Sequence, residues 1–264
     1  MPTFAILGAT GNTGQAILTL LLKDPSANIR CYVRSAKKLN GQTPGLRDNK
    51  RVQVFESSIT DVATLADCIA PCDAVFSCIA TEENAPGTSI ALDTAHAIVA
   101  ALSHVRAVHK SDLTLPRIIV LSSGTINDHL TREQPKIARN FVWMGFSNIY
   151  ADLVRAENFY RLQESWMGPA TFVQPGALVH DKQAGHTVTM EKEQSFLSFL
   201  DLAAGMIECG SKGRDDTEWD WQGVSVIPTG KTRINFQAPL AILRGCLWTA
   251  FPPLYWLLHS TGVI

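Results

Sequence analysis

A chain of 264 residues with 46% hydrophobic and 18% charged residues is long enough for one α/β domain with a sizeable core. Its formal net charge of −1 gives no global attraction to nucleic acid, so we expect no nucleic-acid partner. The six cysteines have no His or Cys cluster that would complete a metal site, and the first residues do not resemble a signal peptide. We therefore expect free thiols, no metal and a cytoplasmic location.

The first two thirds of the chain alternate short apolar segments with longer helix-like segments. The predicted strands are residues 3–7, 29–33, 52–55, 74–78, 118–121 and 171–174, and the predicted helices are 13–23, 61–70, 88–103 and 148–165. The strand candidates do not alternate with polar residues, as expected for strands covered on both faces. This order predicts a Rossmann-like α/β fold with a doubly wound parallel sheet. Residues 35–51 are expected to form a loop with at most a short helix.

The last third of the chain follows a different pattern. HTVTMEKE is a strand candidate, SFLSFLDLAAGMIECG predicts a helix that ends at Gly210, and VSVIPTG predicts a last strand and turn. We find no internal repeat and no linker. We therefore expect a single domain over residues 1–264, within which 177–264 form mostly a small substrate lobe and an apolar C-terminal cap.

The tail at 238–262 is strongly apolar, but Arg244 and the Pro252–Pro253 pair interrupt it. A helix that spans a bilayer needs about 20 apolar residues without such breaks. We rank a cap over the domain and its substrate pocket first, peripheral contact with a membrane surface second and a dimer contact third. The chain is accordingly expected to be a monomer or a homodimer.

A glycine-rich loop, GATGNTG, connects the first predicted strand to the first predicted helix. Gly8 permits a tight turn, Gly11 lets a diphosphate approach the backbone, and Gly14 allows close packing of helix on strand. Free amides at the helix start then face the phosphates. Further polar contacts are available from Thr10, Asn12 and Thr13. A glycine turn without a ligand is the alternative, but the position in a βαβ pattern favours a dinucleotide.

The end of the second predicted strand indicates which dinucleotide binds. A cofactor with a free ribose 2′-hydroxyl usually meets an acidic residue there. Here the strand continues as CYVRSAKK, and Arg34 stands where a 2′-phosphate would be recognised, with Lys37 and Lys38 behind it. We therefore expect NADP(H), although Arg34 could also be an ordinary surface charge.

Four motifs together resemble a known superfamily. They are GATGNTG, LSSG near 120, YADLVRAENFYRL and FVQPGAL. These motifs resemble those of the atypical short-chain dehydrogenases/reductases. More narrowly, the chain resembles the NmrA-like, NAD(P)-binding fungal proteins of the averufin-oxidase type, which accompany aromatic polyketide pathways. The resemblance covers roughly residues 1–235.

The resemblance implies cofactor contacts at the carboxyl ends of several strands. The residues concerned are Ser58 and Ile59 beside the adenine, Cys78, Ile79 and Ala80 beside the nicotinamide ribose, Ser122, and Pro175 and Gly176 beside the nicotinamide. The resemblance also places an active-site serine at the Ser122–Ser123 pair, of which we assign Ser123 to catalysis.

The chain departs from the superfamily at the catalytic tyrosine. These enzymes commonly use Tyr-x-x-x-Lys, but Tyr150 is followed at the fourth position by Val154. Without a nearby cation the tyrosine remains a neutral donor at neutral pH. Arg155 could compensate only by curling back towards Tyr150. His180, in a loop after a strand, is a further acid–base candidate, although a loop histidine is more often only a surface residue.

Aromatic residues precede the Tyr150 helix in NFVWMGFSNIY. Trp143 and Phe146 could line a pocket for a flat aromatic substrate, with ordinary core packing as the alternative. The leading hypothesis is therefore an NADP(H)-dependent oxidoreductase that acts on an apolar, polyketide-like molecule in specialised metabolism. The missing lysine keeps a non-redox isomerase, dehydratase or cyclase open. A redox-sensing regulator that binds NADP(H) and signals through a partner is the alternative from another class.

Overall fold

A computed structural model describes residues 1–109, 114–233 and 238–262 of the chain. The strands are β1 (Thr3–Leu7), β2 (Asn28–Val33), β3 (Val52–Glu56), β4 (Ala74–Ser77), β5 (Arg117–Leu121), β6 (Ala170–Val173), β7 (Leu178–Val179), β8 (His186–Thr189), β9 (Leu197–Ser198) and β10 (Gly223–Pro228). The helices are α1 (Asn12–Lys23), α2 (Ala36–Gln42), α3 (Val62–Ile69), α4 (Ile90–His109), α5 (Lys136–Gly145), α6 (Ser147–Arg161), α7 (Phe199–Gly210), α8 (Ala238–Ala250) and α9 (Pro252–Ser260). The six strands and four helices predicted for the first two thirds are all present.

Eight strands form one sheet in the order β3-β2-β1-β4-β5-β6-β10-β8. Neighbouring strands are parallel from β3 through to β10, and β8 closes the edge by antiparallel pairing with β10. The predicted doubly wound, Rossmann-like fold is confirmed, with one antiparallel edge strand added to it. Strand order reverses at β1, which lies between β2 and β4, and ligands of such sheets bind in the crevice outside the carboxyl ends at this switch point.

Helices cover both faces of this sheet. The core on one face is built from α1 and α7, and the core on the other from α3, α4 and α6. All six cysteines are free and five of them are buried, as the apolar context of several predicts. Burial raises the pKa of Cys31 to about 12, which makes this thiol an inert part of the core.

Residues 35–51 contain one short α-helix, α2, within the range that the sequence allowed, and Ser35 begins it by accepting a hydrogen bond from the Lys38 amide at 3.2 Å. One predicted bound differs. The helix expected from residue 195 begins only at Phe199, because Leu197–Ser198 first pairs with β7 and the Ser198 side chain then caps α7.

The aromatic segment before Tyr150 forms a helix of its own, α5, which the sequence pattern did not predict. Pro135 precedes its first residue, and the run of consecutive apolar residues at 141–144 obscures its helical period in the sequence.

The apolar tail folds back as two helices. Phe251 separates α8 from α9, and Pro252 and Pro253 begin α9, so the prolines interrupt the tail where the sequence places the break. Residues 234–237 and 263–264 of the expected C-terminal extension lie outside the described residues. In the part of the chain that is described, no helix is both long enough and apolar enough to cross a membrane.

A glycine pair lets α8 approach α5 closely. A Cβ on Gly245 would stand 1.7 Å from the Gly145 carbonyl oxygen, and a Cβ on Gly145 would stand 2.8 Å from the Ile242 side chain. Thr249 adds a hydrogen bond from its hydroxyl to the Met144 carbonyl oxygen at 2.9 Å. The tail therefore packs on α5, the helix that precedes the Tyr150 helix, and its role as a cap over a substrate pocket stays a prediction.

Candidate functional site

The glycine loop makes a sharp turn between β1 and α1. Gly8 has φ +85°, a conformation that residues with a side chain rarely adopt. A Cβ on Gly14 would stand 2.3 Å from the Gly8 carbonyl oxygen, so the first turn of α1 packs directly on the loop. The first and third glycines thus serve the turn and the packing, as their spacing predicts.

Gly11 leaves open space at the start of α1. Of the atoms that the structure describes, a Cβ on Gly11 would have only the Gly8 carbonyl oxygen within 4 Å, at 3.4 Å. Gly11 is the N-cap residue, and no side chain in the described part of the chain caps the helix. The first turn therefore offers backbone amides, with the positive end of the helix dipole, to a ligand in this space. This cradle fits a diphosphate.

The polar side chains of the loop differ in exposure. Asn12 is exposed, and its amide donates a hydrogen bond to Glu82 Oε1 at 2.8 Å. Thr10 is half-buried and Thr13 is buried. Of the three, Asn12 is the side chain most able to exchange its protein partner for a phosphate oxygen.

The end of β4 lies directly against this loop. A Cβ on Gly8 would stand 3.0 Å from the Cys78 carbonyl oxygen and 3.1 Å from the Ile79 side chain. Ala80, which follows, is exposed. Cys78 and Ile79 therefore line the same crevice as the glycine loop, and Ala80 follows them at the surface.

The predicted adenine contacts follow β3. Ser58 is exposed, and its carbonyl oxygen accepts a hydrogen bond from the Tyr32 hydroxyl at 2.6 Å. Ile59 is half-buried beside it. This hydrogen bond fixes the segment after β3, which contains Ser58 and Ile59, to the neighbouring strand β2.

Arg34 follows β2 immediately and is exposed. Among the described residues, no carboxylate forms an ion pair with it. The sheet register, however, brings Glu56 at the end of β3 opposite Val33, and its Oε1 accepts a hydrogen bond from the Ala36 amide at 3.0 Å. This carboxylate could not be identified from the sequence, because it belongs to the next strand, whose position depends on the fold.

The two serines after β5 have different surroundings. Ser122 is buried, and its hydroxyl donates to Glu157 Oε1 at 2.6 Å. Gln174 Nε2 donates to the same oxygen at 2.9 Å, and Asn127 Nδ2 in turn donates to Gln174 Oε1 at 2.7 Å. This network fixes the ends of β5 and β6 to α6. The Ser122 side chain is therefore engaged within the protein, and its backbone is what remains for a cofactor.

Burial raises the pKa of Glu157 above its ordinary value of 4.5, against the hydrogen bonds from Ser122 and Gln174. The folded state thus holds the Glu157 proton more tightly than the unfolded state. This contribution to stability is complete below the unfolded pKa and is lost as the pH rises through the folded pKa. We therefore expect Glu157→Gln, which has no such proton, to gain stability relative to the parent protein as the pH rises from 4.5.

Urea unfolding at a series of pH values measures this difference. Glu164→Gln, at an exposed position shortly after α6, is the matched control and should leave the pH dependence unchanged. Parallel stability curves for Glu157→Gln and the parent protein would contradict the prediction.

Tyr150 lies near the other serine. It is 8% exposed, and burial raises the pKa of its phenol. The hydroxyls of Thr125 and Ser123 partly offset this effect, whereas the charge of Glu193 reinforces it. Tyr150 is therefore a neutral hydrogen-bond donor at neutral pH, beside Ser123, as the sequence predicts.

The arginine next to Val154 does not replace the missing lysine. Arg155 Nη2 donates to the Thr88 carbonyl oxygen at 2.9 Å and pairs with Asp152 at 3.3 Å. These contacts hold the guanidinium at the start of α4. Because the side chain is committed there, it does not lower the pKa of Tyr150.

Two aromatic residues surround Tyr150. The ring centroid of Trp143 lies 5.4 Å from that of Tyr150, and that of Phe146 lies 5.8 Å from it. Trp143 is 38% exposed, so part of its ring remains free to contact a ligand. The structure thus brings together the predicted substrate residues and the predicted catalytic tyrosine.

His180 has a different neighbour. It is exposed after β7, and its ring centroid lies 4.7 Å from that of Phe199 on α7. His180 therefore contacts Phe199, whereas Ser123 and Tyr150 lie beside each other, and the catalytic role of His180 stays a prediction.

The residues after β6 contact a carboxylate, Glu193, that was not among the site residues predicted from the sequence. Pro175 is buried, and a Cβ on Gly176 would stand only 1.8 Å from Glu193 Oε2. Glu193 comes from the segment after β8 and fills the space that Gly176 leaves. Its signal in the sequence was weak, because it is one of several charged residues in MEKEQ.

Comparison with known proteins gives both a family and a group of relatives. A family model described as NAD(P)H-binding matches residues 8–209. The oxidoreductase AgnL4 of Paecilomyces divaricatus is 41% identical over 99% of both chains. The oxidoreductase ordB of Dothistroma septosporum is 41% identical over 100% of this chain and 96% of its own. The oxidoreductase aflX of Aspergillus parasiticus is 40% identical over 97% of this chain and 94% of its own.

Solved structures share the fold at low sequence identity. A short-chain dehydrogenase/reductase from Veillonella parvula superposes with a TM-score of 0.68 at 17% identity, over 89% of this chain and 99% of its own. A structure of such a protein from the same organism in complex with NADP gives 0.66 at 18% identity, over 87% and 95%. At this identity the likeness concerns the fold alone.

Proposed function

We propose a function that proceeds from the family of this chain. The chain belongs to the NAD(P)H-binding family, because the family model matches residues 8–209 and fungal relatives are about 40% identical to it. The chain is an oxidoreductase of this family, similar to fungal oxidoreductases over nearly its whole length. Its substrate is an apolar aromatic molecule of the polyketide type, and its dinucleotide is NADP(H). The observation that carries the proposal is the aromatic cluster around Tyr150 at the carboxyl edge of the sheet.

The dinucleotide would be held by the chain's own backbone. The first turn of α1 and the space at Gly11 would take the diphosphate, and the exposed Arg34 would take a 2′-phosphate. A related fold has been solved with NADP, which is consistent with this choice. When bound, such a cofactor supplies or accepts a hydride at its nicotinamide ring.

The substrate would lie against Trp143 and Phe146, whose rings flank Tyr150. The neutral phenol of Tyr150 and the Ser123 hydroxyl would donate hydrogen bonds to a substrate oxygen on which negative charge develops. The tail helices α8 and α9 would exclude water from this region, because α8 packs on α5 through the Gly145–Gly245 contact.

Isotope transfer tests the reaction class. NADPH carrying deuterium at C4 is incubated with the protein and a panel of hydroxyanthraquinones, aromatic ketones and aromatic epoxides. We expect deuterium in the product, and roughly a hundredfold slower turnover when Tyr150→Phe and Ser123→Ala are combined, because both donors to the oxygen are removed. Conversion without label would support non-redox chemistry, whereas NADPH binding with no conversion would favour the sensor.

Arg34→Ala tests the cofactor preference. A charge-assisted hydrogen bond contributes about 1.5–3 kcal/mol, so we expect the Kd for NADPH to rise roughly tenfold or more while the Kd for NADH changes little. Calorimetric titration with both dinucleotides measures this. Arg47→Ala removes the same charge from another exposed position and is the control. An equal loss of affinity for NADH and NADPH would contradict recognition of a 2′-phosphate.

A further inference from the structure

The helix that carries Tyr150 begins at an apolar N-cap residue. Phe146 is at once the C-cap residue of α5 and the N-cap residue of α6, and its side chain accepts no hydrogen bond. The amides in the first turn of an α-helix have no partner within the helix, and an N-cap side chain usually accepts from one of them. Tyr150 is the fourth residue of α6, so its position depends on what pairs with the amides just before it.

Asn84, from the loop after β4, supplies the acceptor that Phe146 lacks. Its Oδ1 accepts hydrogen bonds from the Asn148 amide at 2.9 Å and from the Ile149 amide at 3.4 Å. These are the second and third residues of α6, whose amides an N-cap side chain normally reaches. The Asn84 side chain is buried and thus caps α6 from a position 64 residues earlier in the chain.

The nitrogen of the same side chain is bound to the tail. Asn84 Nδ2 donates to the Gly245 carbonyl oxygen at 3.1 Å and to the Thr249 hydroxyl at 2.9 Å, both on α8. Asparagine presents its oxygen and its nitrogen on one planar amide. A movement of α8 that carries the nitrogen therefore also moves the oxygen that caps α6.

This arrangement allows an aromatic residue at the N-cap position. Serine, threonine, asparagine or aspartate is preferred there, whereas Phe146 instead places its ring centroid 5.8 Å from that of Tyr150. Because Asn84 pairs with the amides, Phe146 contributes to the proposed substrate surface without leaving the first turn of α6 unsatisfied.

We propose that Asn84 is a positioning residue, which holds the Tyr150 hydroxyl beside Ser123 by capping α6 and makes that position depend on the packing of α8. Its effect on turnover rests on the proposed oxidoreductase function. Its effect on the position of Tyr150 does not, since that effect follows from the hydrogen bonds alone.

Two substitutions separate the two ends of the Asn84 amide. Asn84→Ala removes both the acceptor and the donor. Asn84→Asp keeps an oxygen for the α6 amides, and its charge is favourable at the positive end of a helix, but it has no N–H to donate to the Gly245 carbonyl oxygen. Asn158→Ala is the matched control, because Asn158 is exposed on the same helix.

Fluorine NMR of protein labelled with 3-fluorotyrosine reports the position of Tyr150 without turnover. The chain has four tyrosines, of which Tyr255 packs on Trp248 of α8 and reports the tail. Tyr150→Phe and Tyr255→Phe assign the two resonances. We expect Asn84→Ala to broaden or split both, Asn84→Asp to affect only that of Tyr255, and Asn158→Ala to affect neither.

Three outcomes of this experiment would overturn the proposal. An unaltered Tyr150 resonance in Asn84→Ala would show that Asn84 does not hold the ring. A broadened Tyr150 resonance in Asn84→Asp would show that the acceptor is not what holds it, and this outcome does not require Asn84→Ala to fold. A Tyr255 resonance unchanged in both variants would remove the dependence on α8.

A double-mutant cycle with Tyr150→Phe measures the effect on turnover of the panel compound that the parent protein converts. We expect Asn84→Ala to lower kcat about tenfold and Asn84→Asp less than about threefold, while the Kd for NADPH stays within a factor of about three. In the Tyr150→Phe background, which keeps the Ser123 donor, Asn84→Ala should lower kcat less than about twofold, because the hydroxyl that it positions is absent.

Tenfold losses in both backgrounds would show that Asn84 acts by general destabilisation and would overturn its positioning role. If the parent protein converted no panel compound, the oxidoreductase proposal would fall. The Tyr150 resonance would then still decide whether Asn84 holds Tyr150 in place.

Discussion

Gly11→Val is expected to lose dinucleotide binding while the protein stays folded. The backbone of Gly11 is extended, at φ −86° and ψ 168°, so valine fits the chain there. Its side chain would fill the open space at the start of α1, where a Cβ has only the Gly8 carbonyl oxygen within 4 Å. A steric cost of about 1–3 kcal/mol corresponds to a roughly ten- to hundredfold higher Kd for NADPH.

Variants at two other glycines distinguish a loss of dinucleotide binding from a loss of stability. Gly14→Ala would place a Cβ 2.3 Å from the Gly8 carbonyl oxygen, so we expect it to lower both the affinity and the free energy of unfolding. Gly41→Ala, on α2, has nothing within 4 Å and should change neither, apart from a small gain in stability. Calorimetry and urea unfolding measure the three variants. Unchanged NADPH affinity in Gly11→Val would exclude the loop as the diphosphate site.

The parallel sheet could be predicted from the sequence, because each parallel strand is a separate apolar segment between segments with recognisable helix signals. The glycine spacing also predicted the turn after β1. Gly8 has a positive φ, and Gly14 leaves no room for a Cβ beside the Gly8 carbonyl oxygen. Tyr150, Trp143 and Phe146 could be expected to lie together because they are neighbours along the chain.

Residues that are distant along the chain could not be found in this way. Glu193 reaches the site only because the segment after β8 folds over Gly176, and Glu56 faces α2 only through the register of β2 and β3. Asn84 is a third case, since it appears in the sequence as an ordinary loop residue. No period or spacing encodes such contacts, because they depend on tertiary packing.

Asn84 connects the crevice, the Tyr150 helix and the cap. Its Oδ1 accepts from the Asn148 amide at 2.9 Å, near the start of α6. Its Nδ2 donates to the Gly245 carbonyl oxygen at 3.1 Å and to the Thr249 hydroxyl at 2.9 Å, both on α8. The loop after β4 and the cap thus share one buried side chain, so a displaced cap should disturb the substrate side of the site.

Gly245→Ala is therefore expected to impair turnover without impairing cofactor binding. Its Cβ would stand 1.7 Å from the Gly145 carbonyl oxygen, so α8 must move away from α5 at a cost of about 1–3 kcal/mol. We expect a lower free energy of unfolding, faster proteolysis of the tail and a kcat/KM for the aromatic probe reduced about tenfold, the kinetic equivalent of about 1.4 kcal/mol. The Kd for NADPH should stay unchanged, because the glycine loop lies on other elements.

The control for this variant lies on the same helix. Leu243 is 56% exposed, so Leu243→Ala changes the apolar surface of α8 at an outward position and keeps the Gly145–Gly245 contact. Parent-like turnover and proteolysis in Leu243→Ala, together with losses in Gly245→Ala, would assign the effect to the packing of the cap. Parent-like turnover in Gly245→Ala would show instead that the substrate reaches Tyr150 without the cap, and its water-excluding role would have to be abandoned.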